Sequence, residues 1–158
     1  MNRVFIIIFL MSILVCIQCK EHKEVESFSA KQDQESVQMI LEALDDHSIS
    51  TEDKMQVWVD DLVHMAPNHP VITTKTSLIE HINNEKQYGF ADMKHEIIQM
   101  HSFEKNVIMH GKVKGTFYPA HKNTSNTFET KNLFVFRRMK DNTLKIWKVI
   151  FNMTSYVE

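Results

Sequence analysis

Two runs of alternating apolar and polar residues, Met93–Phe103 and Val107–Tyr118, are separated only by Glu104-Lys105-Asn106. Successive side chains of a strand point to opposite faces, so each run reads as a strand with one buried side. Three polar residues between them permit a tight reversal and no crossover, which makes the pair an antiparallel hairpin. In the first run Glu96, Ile98 and Met100 share one face, and His95, Ile97, Gln99 and His101 share the other. In the second, Val107, Met109, Gly111, Val113, Gly115 and Phe117 fall together. Pairing Gln99 near His110 turns Met100, Met109 and Val113 inward and leaves His95, His101, His110, Lys112 and Lys114 on the polar side. A second hairpin follows the polar loop Pro119–Asn126: Thr130–Met139 and Leu144–Asn152 around Lys140-Asp141-Asn142-Thr143.

Upstream of Tyr88-Gly89 the period changes. Val37, Ile40, Leu41 and Leu44 recur at helical spacing from Glu35, and Asp45-Asp46-His47-Ser48 ends that helix. Ser50 or Thr51 caps a second, short helix whose apolar face is Met55, Trp58 and Val59. Pro67 and Pro70 exclude a helix between Leu62 and Ile72 and make that segment a loop with strand edges. Leu78, Ile79 and Ile82 mark a third helix from Thr76 to about Gln87, with Thr76 or Ser77 as its cap. Three helices followed by four antiparallel strands is an α+β order, with the helices laid on one face of a curved sheet. A chain of 158 residues holds one such domain and not two.

The N-terminus has its own composition. Met1-Asn2-Arg3 is followed by an apolar run to Ile17, too short to span a bilayer comfortably, as in a secretory signal. Both cysteines, Cys16 and Cys19, lie there, so no disulfide supports the rest. The polar residues after Cys19 give the outline of a bacterial lipoprotein signal with Cys19 lipidated; a cleaved secretory signal is the alternative. Residues 1–19 are thus expected to be the signal, 20–33 a tether and 34–158 the domain. Localisation would be the cell envelope or the exterior, with membrane contact only through the lipid. A net charge of −2 without a basic, aromatic-interleaved stripe argues against nucleic acid as a partner.

The stretch Trp58-Val59-Asp60-Asp61-Leu62-Val63-His64-Met65-Ala66-Pro67 resembles the nuclear-transport-factor-2-like superfamily in its SnoaL-like and DUF4440 branch. There an aromatic residue precedes Ala/Val-Asp-Asp, an alternating run and a Pro-rich loop. The stretch Phe134–Asn152, with Arg137-Arg138, an Asp-containing turn and Trp147-Lys148-Val149, is similar to the same family's end. The resemblance covers roughly residues 34 to 154. It implies a cone of three N-terminal helices against a curved antiparallel sheet, often with an apolar cavity. It also implies that ketosteroid-isomerase chemistry is not carried over. The position of the isomerase base is Ala66, the first helix has no Tyr, and Val149 stands where an Asp is frequent. No catalytic residue and no cofactor is expected on that ground.

A small apolar molecule bound in the cone is the function the resemblance implies, with Trp58, His64, Met65, His69, Met109, Phe136, Trp147 and Phe151 as its contacts. Each of these apolar residues is also an ordinary core candidate. The rivals are an isomerase, cyclase or hydratase using His64, His69 or Tyr88, and a homodimeric association module. Asp60-Asp61 reads better as a helix-ending pair that satisfies backbone groups than as an acid/base pair. Nine histidines raise the question of a metal. No His-Glu-x-x-His motif is present, and His95 and His101 lie about 20 Å apart along one strand, so no metal site is expected.

Overall fold

The structure is a computed structural model that describes the backbone of residues 22–157 and the side chains of 30–154; the expected signal and Cys19 lie outside the described residues. Helix α1 spans His22–Asp45 and α2 spans Thr51–Lys54, continued by a 3-10 turn over Met55–Val57. Strand β1 follows at once (Trp58–Met65), then α3 (Lys75–Glu85), β2 (Gly89–Ser102), β3 (Asn106–Pro119), β4 (Asn126–Arg138) and β5 (Leu144–Val157). The α+β order is as expected.

Three boundaries differ from the periodicity. Helix α1 starts at His22, within the segment expected to be a tether, and Asp33 in that segment is buried with its carboxylate on Arg138 Nη2 at 2.7 Å. Trp58 and Val59 belong to β1 and not to the second helix, because the 3-10 turn releases the chain into extended backbone at Trp58. The cap of α3 is Thr74, whose hydroxyl accepts from Ser77 N–H, while Ser50 caps α2 through Asp53 N–H.

The sheet has five strands, in the order β1-β5-β4-β3-β2. The expected four antiparallel strands are present as β2 to β5, and β1 adds parallel to β5 at one edge. The register of β1 shifts between Trp58 and Val63, so Asp60 and Asp61 both face solvent within the strand. They do not end a helix. Asp60 takes Lys75 Nζ at 2.8 Å, and Asp61 takes both Arg137 guanidinium nitrogens at 2.7 and 2.8 Å. These cations hold both carboxyls below the usual carboxylate range. Exposed pairs of this kind contribute little to stability. They tie α3 to β1 and link β4 to β1 across the intervening β5.

Over β3, β4 and β5 the inner face of the sheet is filled. Val107, Met109, Phe134, Phe136, Ile146 and Val149 pack with Leu62 of β1 and Trp58, and are covered by Val37, Ile40 and Leu41 of α1 and Leu78 of α3. The β3 phase read from the sequence holds along its length. In β2 it does not. Ile97 pairs with Gly111 and Gln99 with His110, so Ile98 is an extra, bulged residue. Before the bulge Met93, His95 and Ile97 lie opposite Gly115, Val113 and Gly111; after it Met100 and Ser102 lie opposite Met109 and Val107. One inserted residue therefore moves His95 from the polar side to the inner face. Gly111 sits where the bulge brings strands close: a Cβ there would stand 2.6 Å from the Glu96 carbonyl oxygen.

Candidate functional site

The residues expected to contact a ligand divide into three groups. Met109 and Phe136 are core, 1% and 0% exposed, as is Val149. Trp147 stacks under Arg137 and Lys148, each 4.2 Å from its ring centroid, and Met65 pairs with Ile150 on β5. Trp58, His64, His69 and Phe151 are brought together, and His81 of α3 joins them.

The centre of that group is His64. Its ring lies 6.2 Å from Trp58, 5.7 Å from Phe151 and 5.9 Å from His81, and His81 in turn lies 4.8 Å from His69. A backbone bridge holds His64 in place: His64 N–H donates to Ile72 O at 2.8 Å and Ile72 N–H returns to His64 O at 3.0 Å. The loop so closed turns at Asn68, whose φ of 60° is the left-handed conformation Asn tolerates. Burial, with His81 and His69 adding like charge, lowers the His64 pKa to about 4. The ring is therefore neutral at pH 7. Its Nδ1 and the Trp58 Nε1 are both buried without a hydrogen-bond partner. Orphaned buried polar atoms are uncommon, and two on neighbouring rings mark a place where a polar ligand atom or a water would be satisfied.

A second constellation was not legible from the sequence pattern. Asp45, the last residue of α1, accepts from His95 N–H through Oδ2 at 2.9 Å, and its Oδ1 meets His95 Nδ1 at 2.5 Å. The His95 side chain is 8% exposed and packs edge-on against Phe134 at 5.6 Å. A carboxylate at this position accepts from Nδ1–H, and in the neutral imidazole that fixes the tautomer in which Nε2 is the acceptor. Nε2 makes no hydrogen bond to the described residues. A hollow of about 530 Å³, lined by Asp92, Lys94, Lys114, Thr116 and Glu129 among others, lies towards the far end of β2 and does not include His95. One sequence signal was available. An acidic residue in the last turn of a helix opposes the helix dipole, so Asp45 needs a partner from elsewhere in the fold. Its neighbour Asp46 closes the turn by accepting from Ser48 N–H at 2.8 Å.

A group of three metal-ligating side chains also comes together. His69, His81 and Glu85 offer one ligand atom each, all within 4.8 Å of one another. His101 and His110, both exposed, face Ile108 and Gln99 across the hairpin and form no such group.

No family model matches the sequence, and comparison with curated proteins finds no match. Solved structures do match. A hexachlorocyclohexane dehydrochlorinase from Novosphingobium barchaimii superposes with a TM-score of 0.71 at 13% identity, over 83% of this chain and 92% of that one. A ketosteroid isomerase-like protein from Erwinia carotovora gives 0.69 at 17%, over 77% and 93%. A nuclear transport factor 2-like superfamily protein from Salmonella enterica gives 0.66 at 10%, over 82% and 93%. The chain has the nuclear-transport-factor-2-like fold. In that fold the helices lie against one face of an unclosed sheet, and His95 is on the face they cover. At these identities the likeness is one of fold, a scaffold that hosts many unrelated chemistries.

Proposed function

We propose that the protein binds a small, mostly apolar molecule beside the inner face of the sheet and that His95, oriented by Asp45, takes a proton from it. The observation that carries this is the part-buried Asp45–His95 pair. A base within hydrogen-bond reach of an orienting carboxylate, with its other nitrogen unengaged, is the arrangement general-base catalysis requires. The reaction class is proton removal from carbon. The C–H electron pair becomes a double bond, and either an anionic group leaves the adjacent carbon or the proton returns elsewhere. The names dehydrochlorinase and isomerase-like borne by two structural neighbours belong to the same class.

The test uses purified wild-type protein and Asp45→Asn. In ¹⁵N-detected NMR, wild-type His95 is expected as a single tautomer protonated at Nδ1, and Asp45→Asn as a mixture. Incubated in D₂O with a panel of small cyclic ketones, alcohols and halides, the wild type is expected to exchange or eliminate at one class of C–H and Asp45→Asn not to. A mixed tautomer in the wild type, or equal turnover by both proteins, would discard the reading.

Residues 1–19 support export, and we propose lipidation at Cys19. Mass spectrometry of protein purified from membranes checks this; an unmodified Cys19 rejects the anchor. Homodimerisation is supported by Leu133 and Ile150, a cross-strand pair on the outer sheet face, 42% and 40% exposed. Native spectra of the same sample count the subunits, and a monomer would reject it.

A further inference from the structure

We propose that His69, His81 and Glu85 bind a divalent transition-metal ion of the zinc class, at the sheet edge opposite to the Asp45–His95 pair. Strands β1 and β2 are the two edges of the sheet, so this site and the proposed proton-transfer site stand on different strands and fail independently. His81 and Glu85 are four residues apart on α3 and therefore neighbours on one face of the helix. The third group comes from the loop after β1, whose ends are pinned by the His64–Ile72 bridge and whose reversal at Asn68 delivers His69 over His81.

The donor set is two imidazoles and a carboxylate, which suits zinc and its neighbours better than magnesium or calcium. Ligand atoms on a tetrahedral zinc stand roughly 3.3–3.5 Å apart, given bonds of about 2.0–2.2 Å. The present separations are all within 4.8 Å, so closure asks for a shift of about 1.5 Å at most. His69 and Glu85 are exposed and can supply it, while half-buried His81 is the anchor. None of the three side chains makes a hydrogen bond or ion pair among the described residues, so binding breaks no existing partnership. The nearby cations are committed elsewhere: Lys75 to Asp60, and Lys86 to Thr51 Oγ1 at 2.6 Å. Glu85 is also the last residue of α3, where the helix dipole is negative and favours a cation. With two ligands at the surface the fourth position faces solvent, so a water would complete the shell.

The full chain, stripped with EDTA, is titrated with Zn²⁺ by calorimetry and with Co²⁺ by visible absorption. One equivalent is expected to bind, with Co²⁺ giving the bands of a low-coordinate site. His81→Ala and Glu85→Gln are each expected to weaken binding at least about tenfold, the loss seen even for outer-shell partners of a metal. His110→Ala, on the outer face of β3, is the control for adventitious surface histidine and is expected to bind as the wild type. Glu85→Gln alters an exposed side chain and is expected to stay folded, so a misfolded His81→Ala does not blunt the test. No Zn²⁺ binding at millimolar concentration, or equal affinity in Glu85→Gln and wild type, would overturn the proposal.

Discussion

Lowering the pH from 7 to 4 in the presence of EDTA is expected to remove about 3 kcal/mol of folding stability through His64 alone. Its pKa is about 4 in the folded chain, against an ordinary value of 6.5. Above pH 6.5 the ring is neutral in both states and the full stability is present. Below it the unfolded chain takes up a proton that the folded chain refuses, so stability falls as pH falls. The loss is about 1.4 kcal/mol per pH unit until the folded ring titrates near pH 4, and it levels off below. The cause is burial first. A charged imidazole between Trp58 and Phe151 loses its water, with His81 and His69 adding repulsion. Urea unfolding between pH 7 and 4.5 measures the slope above the range where carboxylates dominate. His64→Leu is expected to flatten the curve there, and an equally steep curve in that variant would assign the slope to other groups.

Phe136→Ala is expected to cost about 3–5 kcal/mol, the usual range for deleting a fully buried aromatic ring. Phe136 is 0% exposed and stacks on Phe134 at 5.8 Å, 12° from parallel, in the middle of the filled inner face. The measurement distinguishes two roles that the sequence leaves open. A residue lining an open cavity loses ligand contact when truncated and keeps most of the fold's stability. A residue packed as Phe136 is leaves a void the surroundings cannot close. Chemical denaturation at pH 7 reads the difference, and a loss below about 1 kcal/mol would mean that the inner face is not the core.

What the chain alone makes legible follows from period. Val107, Met109, Gly111 and Val113 recur every second residue, and one face of β3 is buried as that spacing requires. Val37, Ile40 and Leu41 recur at helical spacing and are the face α1 presents to the sheet. The two hairpins were readable because their turns are short and polar. Asp141, in the second, accepts from Thr143 N–H and hydroxyl, and Asn142 takes a φ of 65°.

Period fails where a neighbouring strand changes the count. An alternation read through Ile98 puts His95 on the solvent side, and only the register with β3 shows that Ile98 is extra. Nothing in the spelling of Met93–Phe103 marks the bulge, because apolar Ile97 and Ile98 are adjacent and either can serve as the inward residue. The parallel pairing of β1 with β5 joins residues some ninety positions apart, such as Trp58 with Ile146, and so leaves no local trace. That pairing is why Asp60-Asp61 lies in a strand rather than at a helix end.

Sequence by itself therefore determined the fold class, the succession of helices and of the four antiparallel strands along the chain, and most of the core, because these rest on each segment burying its own apolar face. It also set out Trp58, His64, His69 and Phe151 as residues worth locating. Tertiary structure alone decided that His95 meets Asp45, that His64 packs among Trp58, Phe151 and His81, and that His69 stands beside His81 and Glu85. Each is a contact between side chains from different elements, and its geometry depends on a bulge, a parallel register or a loop closure that local periodicity does not encode.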